Sequence, residues 1–251
     1  MRIAAIQHDI VWEDAAATHE HVSPMIERAA AMGARLVSLT EMFSCGFSMN
    51  TGTVAEPTGG SSASFLAEHA AQLGVWVAAS IPTLVDDELP VNRFHLCGPA
   101  GELHTYDKVH PFSFAGETDH YQAGTELITV EIEGVRISPL VCYDLRFADE
   151  FWQLAPATDL YLVVANWPRA RRRHWNSLLV ARAIENQAYV VGVNRVGEGA
   201  GLDYSGDSRI IDPMGTILAG HCDDETILVA NIDPVVVAET RDRFRFMQDR
   251  R

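Results

Sequence analysis

A cysteine at position 142 stands where an α/β sheet would present a nucleophile. It follows an apolar segment, Val135–Val141, that reads as a buried strand, and a polar turn, Tyr143–Phe147, comes directly after it. Sheets in α/β proteins bind their ligands beyond the carboxyl ends of the strands, so a thiol in this position can act on a substrate. A free cysteine is also a common inert packing residue, and its position alone leaves both interpretations open.

Two further residues offer what a cysteine nucleophile needs, a base for the thiol proton and a positive charge for an oxyanion. Glu41 ends the apolar run 34–40, and Lys108 lies among apolar and aromatic neighbours in the segment 106–112. For both Glu41 and Lys108, the alternative to a catalytic role is that of a solvated charge on the surface. If the strand ends meet at one rim of a sheet, the three side chains together predict nucleophilic catalysis by the thiol.

Short apolar runs that each end at a polar residue alternate with helical patterns. Continuous β-branched runs indicate strands covered on both faces, and their alternation with helices indicates α/β layers. The predicted strands are 34–40, 75–81, 135–141, 160–165 and 188–193, then a hairpin over 204–218 with its turn at 212–215, and a last strand over 226–232. Helices are predicted over 61–73, closed by Gly74, and over 174–187, with Leu178, Leu179, Ala181 and Ile184 on the apolar face.

The first helix and the C-terminal tail carry signals of their own. Ser23 and Pro24 are typical of a helix cap and a first-turn proline, which predicts a helix that begins there and ends at Gly33. Residues 241–251 contain five arginines among aromatic and Met residues. The tail, from about residue 234 to 251, is therefore predicted to dock on the domain or on a partner subunit.

The composition bounds the class of protein. The chain has 251 residues, 47% of them hydrophobic, and shows no linker-like tract, so we expect a single α/β domain over 1–251. The net charge of −15 excludes nucleic acid and anionic membranes as partners. The N-terminal segment lacks the features of a signal peptide and no apolar run is long enough to span a membrane, so we expect a cytoplasmic protein.

The four cysteines are widely spaced along the chain, at Cys45, Cys97, Cys142 and Cys222. No CxxC or paired Cys/His spacing occurs, which argues against a zinc site. We expect free thiols rather than disulfides, and no metal.

Six short motifs stand in one order along almost the whole chain. They are Leu39–Phe43, Tyr106–His110, Val141–Phe147, Asn166–Pro168, Ala181–Asn186, and Ser205–Ser208 with Asp212–Gly215. The first three resemble the segments around the Glu, Lys and Cys of the catalytic triad of the nitrilase (carbon–nitrogen hydrolase) superfamily, and the others resemble further signatures of that family. One such motif would be weak evidence, but six in the family's order leave little room for coincidence.

The resemblance implies the roles of the triad. Cys142 would attack an amide carbonyl, Glu41 would exchange the proton, and Lys108 with the backbone N–H of Tyr143 would hold the oxyanion. A second glutamate that orients the lysine is also implied; Glu117 is preferred, with Asp119 as the competitor. No metal or organic cofactor is required. The implied fold is a four-layer α-β-β-α sandwich that forms a homodimer through residues 181–187 and the tail.

The fuller match, over Pro139–Phe147, His174–Trp175 and Ala181–Val190, is similar to the ω-amidase branch of that family. Its members hydrolyse the terminal amide of short dicarboxylic mono-amides such as 2-oxoglutaramate and 2-oxosuccinamate, so we expect a small-molecule amide substrate. An amidase for N-carbamoyl amino acids or other aliphatic amides, a true nitrilase, and a non-catalytic binding scaffold on the same fold stay open as alternatives.

The substrate carboxylate needs a positively charged partner. Arg171, in the arginine-rich run 169–173, is predicted to bind it, because arginine is suited to bidentate contact with carboxylates. The alternative for this run is a solvated surface. Four further residues are predicted to line the pocket: Phe43, Tyr143, Asn166 and Trp167.

Overall fold

The computed structural model describes residues 1–86 and 88–249. The strands are β1 (Arg2–Gln7), β2 (Leu36–Ser38), β3 (Trp76–Thr83), β4 (Val91–Cys97), β5 (Leu103–Asp107), β6 (Val130–Ile132), β7 (Val135–Val141), β8 (Leu160–Ala165), β9 (Tyr189–Asn194), β10 (Val196–Gly199), β11 (Leu202–Ile211), β12 (Ile217–Cys222) and β13 (Thr226–Asn231). The α-helices are α1 (Ala15–Ala31), α2 (Thr51–Val54), α3 (Ser61–Leu73), α4 (Ala148–Leu154), α5 (Arg172–Asn186) and α6 (Pro234–Phe244).

The strands form two mixed sheets. In the first, the order is β13-β1-β2-β3-β4-β5, and β1, β2 and β3 run parallel. In the second, β6-β7-β8-β9-β11 is extended by β10 and β12, which both pair with β11, and β7, β8 and β9 run parallel. Every residue of β8 and β9 is buried, which is why these segments read as continuous apolar runs rather than alternating ones.

The sheets face each other, and helices cover their outer faces. Successive side chains of a strand point to opposite faces. In β1, Ile3 therefore lies in the core shared with the second sheet, and Ile6 lies in a separate core beneath α1 and α3. Trp175 and Leu179 of α5 pack on the second sheet. This is the four-layer α-β-β-α sandwich that the sequence predicts.

The first helix begins earlier than predicted. It starts at Ala15, where the Asp14 side chain accepts the N–H of Ala17 at 3.0 Å and caps the helix. Pro24 lies inside α1 rather than in its first turn. A proline there leaves the carbonyl of Glu20 without its helical donor, and both residues are exposed, so water can take the donor's place.

The other predicted helices differ only in detail. The helix α3 spans 61–73 as predicted, and Gly74 follows it in the left-handed conformation, with φ of 66°. The helix α5 begins at Arg172, and its Ile184, predicted for the apolar face, is 45% exposed. The buried stripe runs through Leu179 and Ala183, and the next residue is rotated by about 100° away from it. Within residues 1–86 and 88–249, no helix combines the length and apolar character needed to cross a membrane.

The C-terminal helix packs on its own chain. The Asp233 side chain caps α6, and Val237 lies in the core shared by the two sheets. The guanidinium of Arg241 donates to the carbonyls of Thr158 and Asn186 at 2.8 and 3.0 Å. Residues 250–251 of the predicted tail lie outside the described residues.

Candidate active site

Segments that follow strands of both sheets meet at one rim of the sandwich. Glu41 comes after β2 and Lys108 directly after β5 in the first sheet, while Cys142 and Asn166 directly follow β7 and β8 in the second. Besides burial, the negative charge of Glu41 acts on the thiol of Cys142 and raises its pKa, and the same carboxylate accepts from Lys108 at 2.9 Å. The structure therefore brings the predicted base, lysine and nucleophile together.

Lys108, which is the only lysine in the chain, is held between two carboxylates. Its ammonium donates to Glu41 Oε1 at 2.9 Å and to Glu117 Oε1 and Oε2 at 3.0 and 2.8 Å. Burial lowers the pKa of Lys108, but the negative charges of Glu117 and Glu41 raise it by more, so the lysine stays protonated. Asp119, the other candidate for the second glutamate's role, is exposed to solvent. The second carboxylate on the lysine is thus Glu117.

The carboxylate of Glu41 is oriented by donors from both sheets. Oε1 accepts from Lys108 and from the side-chain amide of Asn92 on β4, each at 2.9 Å. Oε2 accepts the backbone N–H of Asn166 at 2.7 Å, and the Asn166 side-chain amide donates to the Glu41 carbonyl at 2.6 Å. Because Asn92 and Asn166 belong to different sheets, this orientation exists only after the sheets have packed.

Cys142 begins a short 3₁₀ helix immediately after β7, with φ of 47°. A positive φ is uncommon for a residue with a side chain and has to be held by its surroundings. Burial, and then the negative charge of Glu41, raise the pKa of the Cys142 thiol well above its ordinary value, although Lys108 opposes the shift.

The charges at the site determine where the thiol proton rests. Two buried carboxylates face one ammonium, which leaves one negative charge in excess. Burial raises the pKa of Glu117 in spite of its contact with Lys108. A thiolate would add a second excess charge in the same place, so Cys142 keeps its proton at rest. The proton can leave the sulfur readily only if Glu41 accepts it, which is how an adjacent base activates a nucleophile.

Asn92 is a site residue that the sequence analysis missed. It is buried, and its side-chain amide donates to Glu41 at 2.9 Å and to Glu117 at 3.4 Å. Its backbone carbonyl accepts the N–H of Lys108 at 3.0 Å. The strand β4 also carries an arginine and a histidine, so nothing in its sequence singles out the asparagine.

A cavity of about 50 Å³ opens beside the thiol of Cys142. Its other walls are Phe47, Phe112, Ala115, Tyr143, Arg146, Asn166, Trp167, Pro168, Arg171, Leu202 and Tyr204. Of the predicted pocket residues, Tyr143, Asn166, Trp167 and Arg171 are therefore present.

Phe43, which was also predicted to wall the pocket, lies elsewhere. Its ring is fully buried in the core beneath the outer helices and stacks on Phe65 of α3, with 6.0 Å between ring centroids. The segment after Glu41 turns this aromatic side chain toward the helical layer, where it is fully buried in the apolar core. Phe47, four residues later, lines the cavity instead, and its ring centroid is 5.2 Å from Nζ of Lys108.

Two arginines, Arg146 and Arg171, reach the cavity. The guanidinium carbon of Arg171 lies 5.2 Å from the ring centroid of Phe112, and that of Arg146 lies 4.6 Å from the ring centroid of Trp167. Burial lowers the pKa of Arg146, and the positive charge of Arg171 lowers it further. Arg146, in the nucleophile motif, is a second residue that the sequence analysis missed.

The cavity arginines differ from Arg169 and Arg172 in having no carboxylate partner. Arg169 pairs with Asp223 at 2.6 Å, and Arg172 pairs with Asp207 at 2.8 Å. Over the described part of the chain, no carboxylate lies within ion-pair distance of either cavity arginine. Two uncompensated guanidinium groups beside an apolar cavity favour an anionic ligand, in a protein whose net charge is −15.

Comparison with known proteins identifies the family. The model of the carbon-nitrogen hydrolase family matches residues 2–242. The chain belongs to that family. It is therefore a hydrolase that acts on carbon–nitrogen bonds other than peptide bonds, as the motif order predicts.

Curated relatives align over nearly their whole length. The omega-amidase YafV of Escherichia coli K12 is 41% identical over 251 residues, which cover 99% of this chain and 96% of that protein. A 2-oxoglutaramate amidase of Bacillus subtilis is 32% identical, with 98% and 96% covered.

Two solved structures have the same fold. XC1258 from Xanthomonas campestris, a CN-hydrolase superfamily protein that carries an arsenic adduct in its active site, superposes with a TM-score of 0.94 at 37% identity, covering 100% of this chain and 97% of that one. Nit3 of Saccharomyces cerevisiae, a nitrilase-superfamily member, has a TM-score of 0.88 at 24% identity, with 97% and 94% covered, and shows the fold alone.

Proposed function

We propose that this protein is an ω-amidase that hydrolyses the terminal amide of short 2-oxo dicarboxylate mono-amides, 2-oxoglutaramate and 2-oxosuccinamate, to the 2-oxo diacid and ammonia. The observation that carries the proposal is the placement of the cavity arginines without carboxylate partners beside a cavity that Cys142 lines. The names of the relatives, omega-amidase and 2-oxoglutaramate amidase, support the same substrate class.

The first half-reaction makes a thioester. Glu41 accepts the thiol proton as the sulfur of Cys142 attacks the amide carbon, and the carbonyl oxygen becomes an oxyanion. Lys108 and the backbone N–H of Tyr143 stabilise that charge; one such preorganised donor contributes about 3 kcal/mol to transition-state stabilisation. Glu41 then gives the proton to the leaving nitrogen, the carbon–nitrogen bond breaks, and ammonia departs.

Hydrolysis of the thioester completes the cycle. Glu41 takes a proton from water, the hydroxide oxygen attacks the thioester carbon, and the proton returns to the sulfur as the carboxylic acid leaves. An ammonium has three N–H donors. One N–H of Lys108 is used by Glu41, and the two oxygens of Glu117 can share a second, which leaves the third for the oxyanion.

The cavity arginines bind the end of the substrate that lies away from the scissile amide. A 2-oxo acid presents a carboxylate and a neighbouring carbonyl, and guanidinium groups bind such planar acceptors through two parallel hydrogen bonds. We assign this contact to Arg171 and add Arg146. Tyr143 and Trp167, over which Arg146 lies, would cover the short apolar chain between the two ends.

A homodimer and a cytoplasmic location are further parts of the proposal. The outer side of α5 and the hairpin after β11 expose apolar side chains next to each other: Ile184 is 45%, Met214 54% and Ile217 46% exposed. Such a patch favours burial against a second copy of the chain. The four cysteines are free, which suits a reducing compartment.

The proposal is tested by ammonia release from 2-oxoglutaramate, 2-oxosuccinamate, an N-carbamoyl amino acid and an aliphatic nitrile on one enzyme preparation. We expect the two 2-oxo mono-amides to be turned over with the highest kcat/KM. Quenched samples should carry one acyl group on Cys142 by mass spectrometry. The Cys142→Ala variant should release no ammonia, whereas the matched Cys222→Ala variant should match the wild type. A preference for the N-carbamoyl substrate or the nitrile would contradict the substrate class.

A further inference from the structure

A fully buried carboxylate lies two residues after the nucleophile. Asp144 Oδ2 accepts the backbone N–H of Val141 at 2.9 Å and the hydroxyl of Tyr106 at 2.8 Å. Its Oδ1 accepts the backbone N–H of His110 at 3.0 Å. Three donors thus converge on one carboxylate beneath the active site.

The three donors belong to the two segments that carry catalytic groups. Val141 is the residue before Cys142, while Tyr106 and His110 stand two residues before and two residues after Lys108. We propose that Asp144 is a positioning residue that ties the backbone of the nucleophile to the backbone of the lysine, and that it performs this role only as the carboxylate anion. The inference rests on the proposed function, because it concerns the same reaction.

The anion is required by the geometry of the donors. The backbone N–H groups of Val141 and His110 can only donate, and they point at different oxygens, so both oxygens must accept. A protonated acid or an amide would turn a hydrogen of its own toward one of these N–H or O–H groups, and one donor would be left unpaired in the interior. The nucleophile and the lysine would then lose their common anchor.

The surroundings of Asp144 place its titration in an accessible range. The titratable groups that face it are Tyr106, Lys108 and His110, and His110 in turn pairs with Glu150 at 2.7 Å. Burial raises the pKa of Asp144 from its ordinary value to about 6, although the Val141 N–H and Lys108 oppose the shift. The anion therefore predominates above about pH 6 and is lost as the pH falls through that value. Because this pKa is raised in the folded state, protonation of the group does not by itself favour unfolding.

The test is the pH profile of 2-oxoglutaramate hydrolysis by the wild type and by Asp144→Asn. For the wild type we expect kcat to fall as the pH drops through about 6. For the variant we expect kcat at pH 8 to be about 100-fold lower, the cost typical of a misplaced catalytic group, with no further fall in that acid range. The KM should change less than kcat, because neither cavity arginine donates to Asp144.

Asp159→Asn is the matched control. Asp159 is also buried and accepts from the backbone N–H and the guanidinium of Arg136, but it lies at the opposite end of β7. This control should lower the melting temperature and leave the pH profile unchanged. If Asp144→Asn behaves in the same way, Asp144 is only a structural residue and the inference is overturned.

Two further measurements separate the possible failures. In Tyr106→Phe the carboxylate of Asp144 loses one donor that stabilises its charge, so the acid limb of the pH profile should move to higher pH. An acid limb that does not move would overturn the inference even if Asp144→Asn does not fold.

If the wild type released no ammonia from any amide, the proposed function would fail instead. The pH dependence of Cys142 alkylation in the wild type and Asp144→Asn would still test the anchor, and identical profiles would reject it.

Discussion

The ammonium of Lys108 lies 2.9 Å from a carboxylate oxygen of Glu41, and both side chains are almost completely shielded from solvent, at 1% and 0% exposure. A buried ion pair of this kind gains strong attraction but loses the hydration of both charges, so it is poor evidence of stabilisation. Here it has a further consequence. The base and the oxyanion donor constrain each other, and a change to either is expected to affect both chemistry and folding.

Replacement of Lys108 should therefore cost activity and stability together. In Lys108→Gln we expect kcat to fall at least about 100-fold, because the charged oxyanion donor is gone. The free energy of unfolding should fall by about 3–5 kcal/mol, since two carboxylates are left buried without their counterion. Ammonia release and urea unfolding measure the two effects. Because this is the only lysine in the chain, its ammonium can also be followed by NMR, and it should remain protonated above its ordinary pKa. An unchanged kcat in Lys108→Gln would reject its role.

Asn92 is expected to matter although it offers no chemistry of its own. In Asn92→Ala, Glu41 and Glu117 each lose a neutral donor, which should destabilise the protein by about 1–3 kcal/mol and lower kcat by about 10-fold. Asn92→Asp should be worse, because a third carboxylate enters a site that already holds an excess negative charge. Asn176→Ala, in which a half-buried asparagine with a single 3.4 Å contact to Asp207 is removed, is the control. Equal losses in the Asn92 and Asn176 variants would count against a role in orienting the base.

The cavity arginines should control affinity rather than chemistry. Arg146→Gln and Arg171→Gln should each raise KM for 2-oxoglutaramate by about 10-fold or more, the cost of losing a charged hydrogen bond. Their kinetics with an uncharged aliphatic amide should be unaffected. Arg173→Gln, an exposed change in the same run, should match the wild type. Similar effects of all three substitutions would indicate general steering by charge instead of a defined contact.

The thiol of Cys142 should behave as a weak acid. Its pKa is raised in the folded protein, so the thiolate fraction at pH 7 lies below that of a free thiol and appears only as the pH rises toward the raised value. Glu41→Gln removes a negative charge that contributes to the shift, and the pH profile of iodoacetamide alkylation should move to lower pH. Ammonia release by the same variant should collapse. A profile like that of free N-acetylcysteine in the wild type would refute the buried Glu41–Cys142 pair.

Much of this protein follows from short-range patterns. The strands over 135–141 and 160–165 have the predicted bounds, since continuous apolar runs between polar ends are a local property. The helix over 61–73 also ends where its glycine predicts. The order of the six motifs, among them those of Glu41, Lys108 and Cys142, was sufficient to predict the family and the type of reaction.

The rest depended on contacts between residues far apart in the chain. Asn92 meets Glu41 across 51 positions, and its strand carries no local sign of that partner. Phe43 and Phe47 are both phenylalanines in the segment after Glu41, and the sequence does not distinguish them. Only the path of the backbone after Glu41 decides which of the two side chains reaches the cavity. The predicted start of α1 was wrong because a proline is typical of the first turn of a helix. In this protein Pro24 lies inside α1, on an exposed face where water can replace the missing donor.

The sequence by itself determined the layers, the family and the three reacting groups, because periodicity and motif order are written into neighbouring residues. Only the tertiary structure decided which groups orient them. Asp144 acquires partners from both sheets when the sheets pack face to face, whereas Asn92 and Arg146 acquire theirs when distant strands of one sheet come together. The burial that results from this packing shifts the pKa of Asp144 and of the Cys142 thiol. Burial is a property of the whole fold, so the electrostatics of the site could not be deduced one segment at a time.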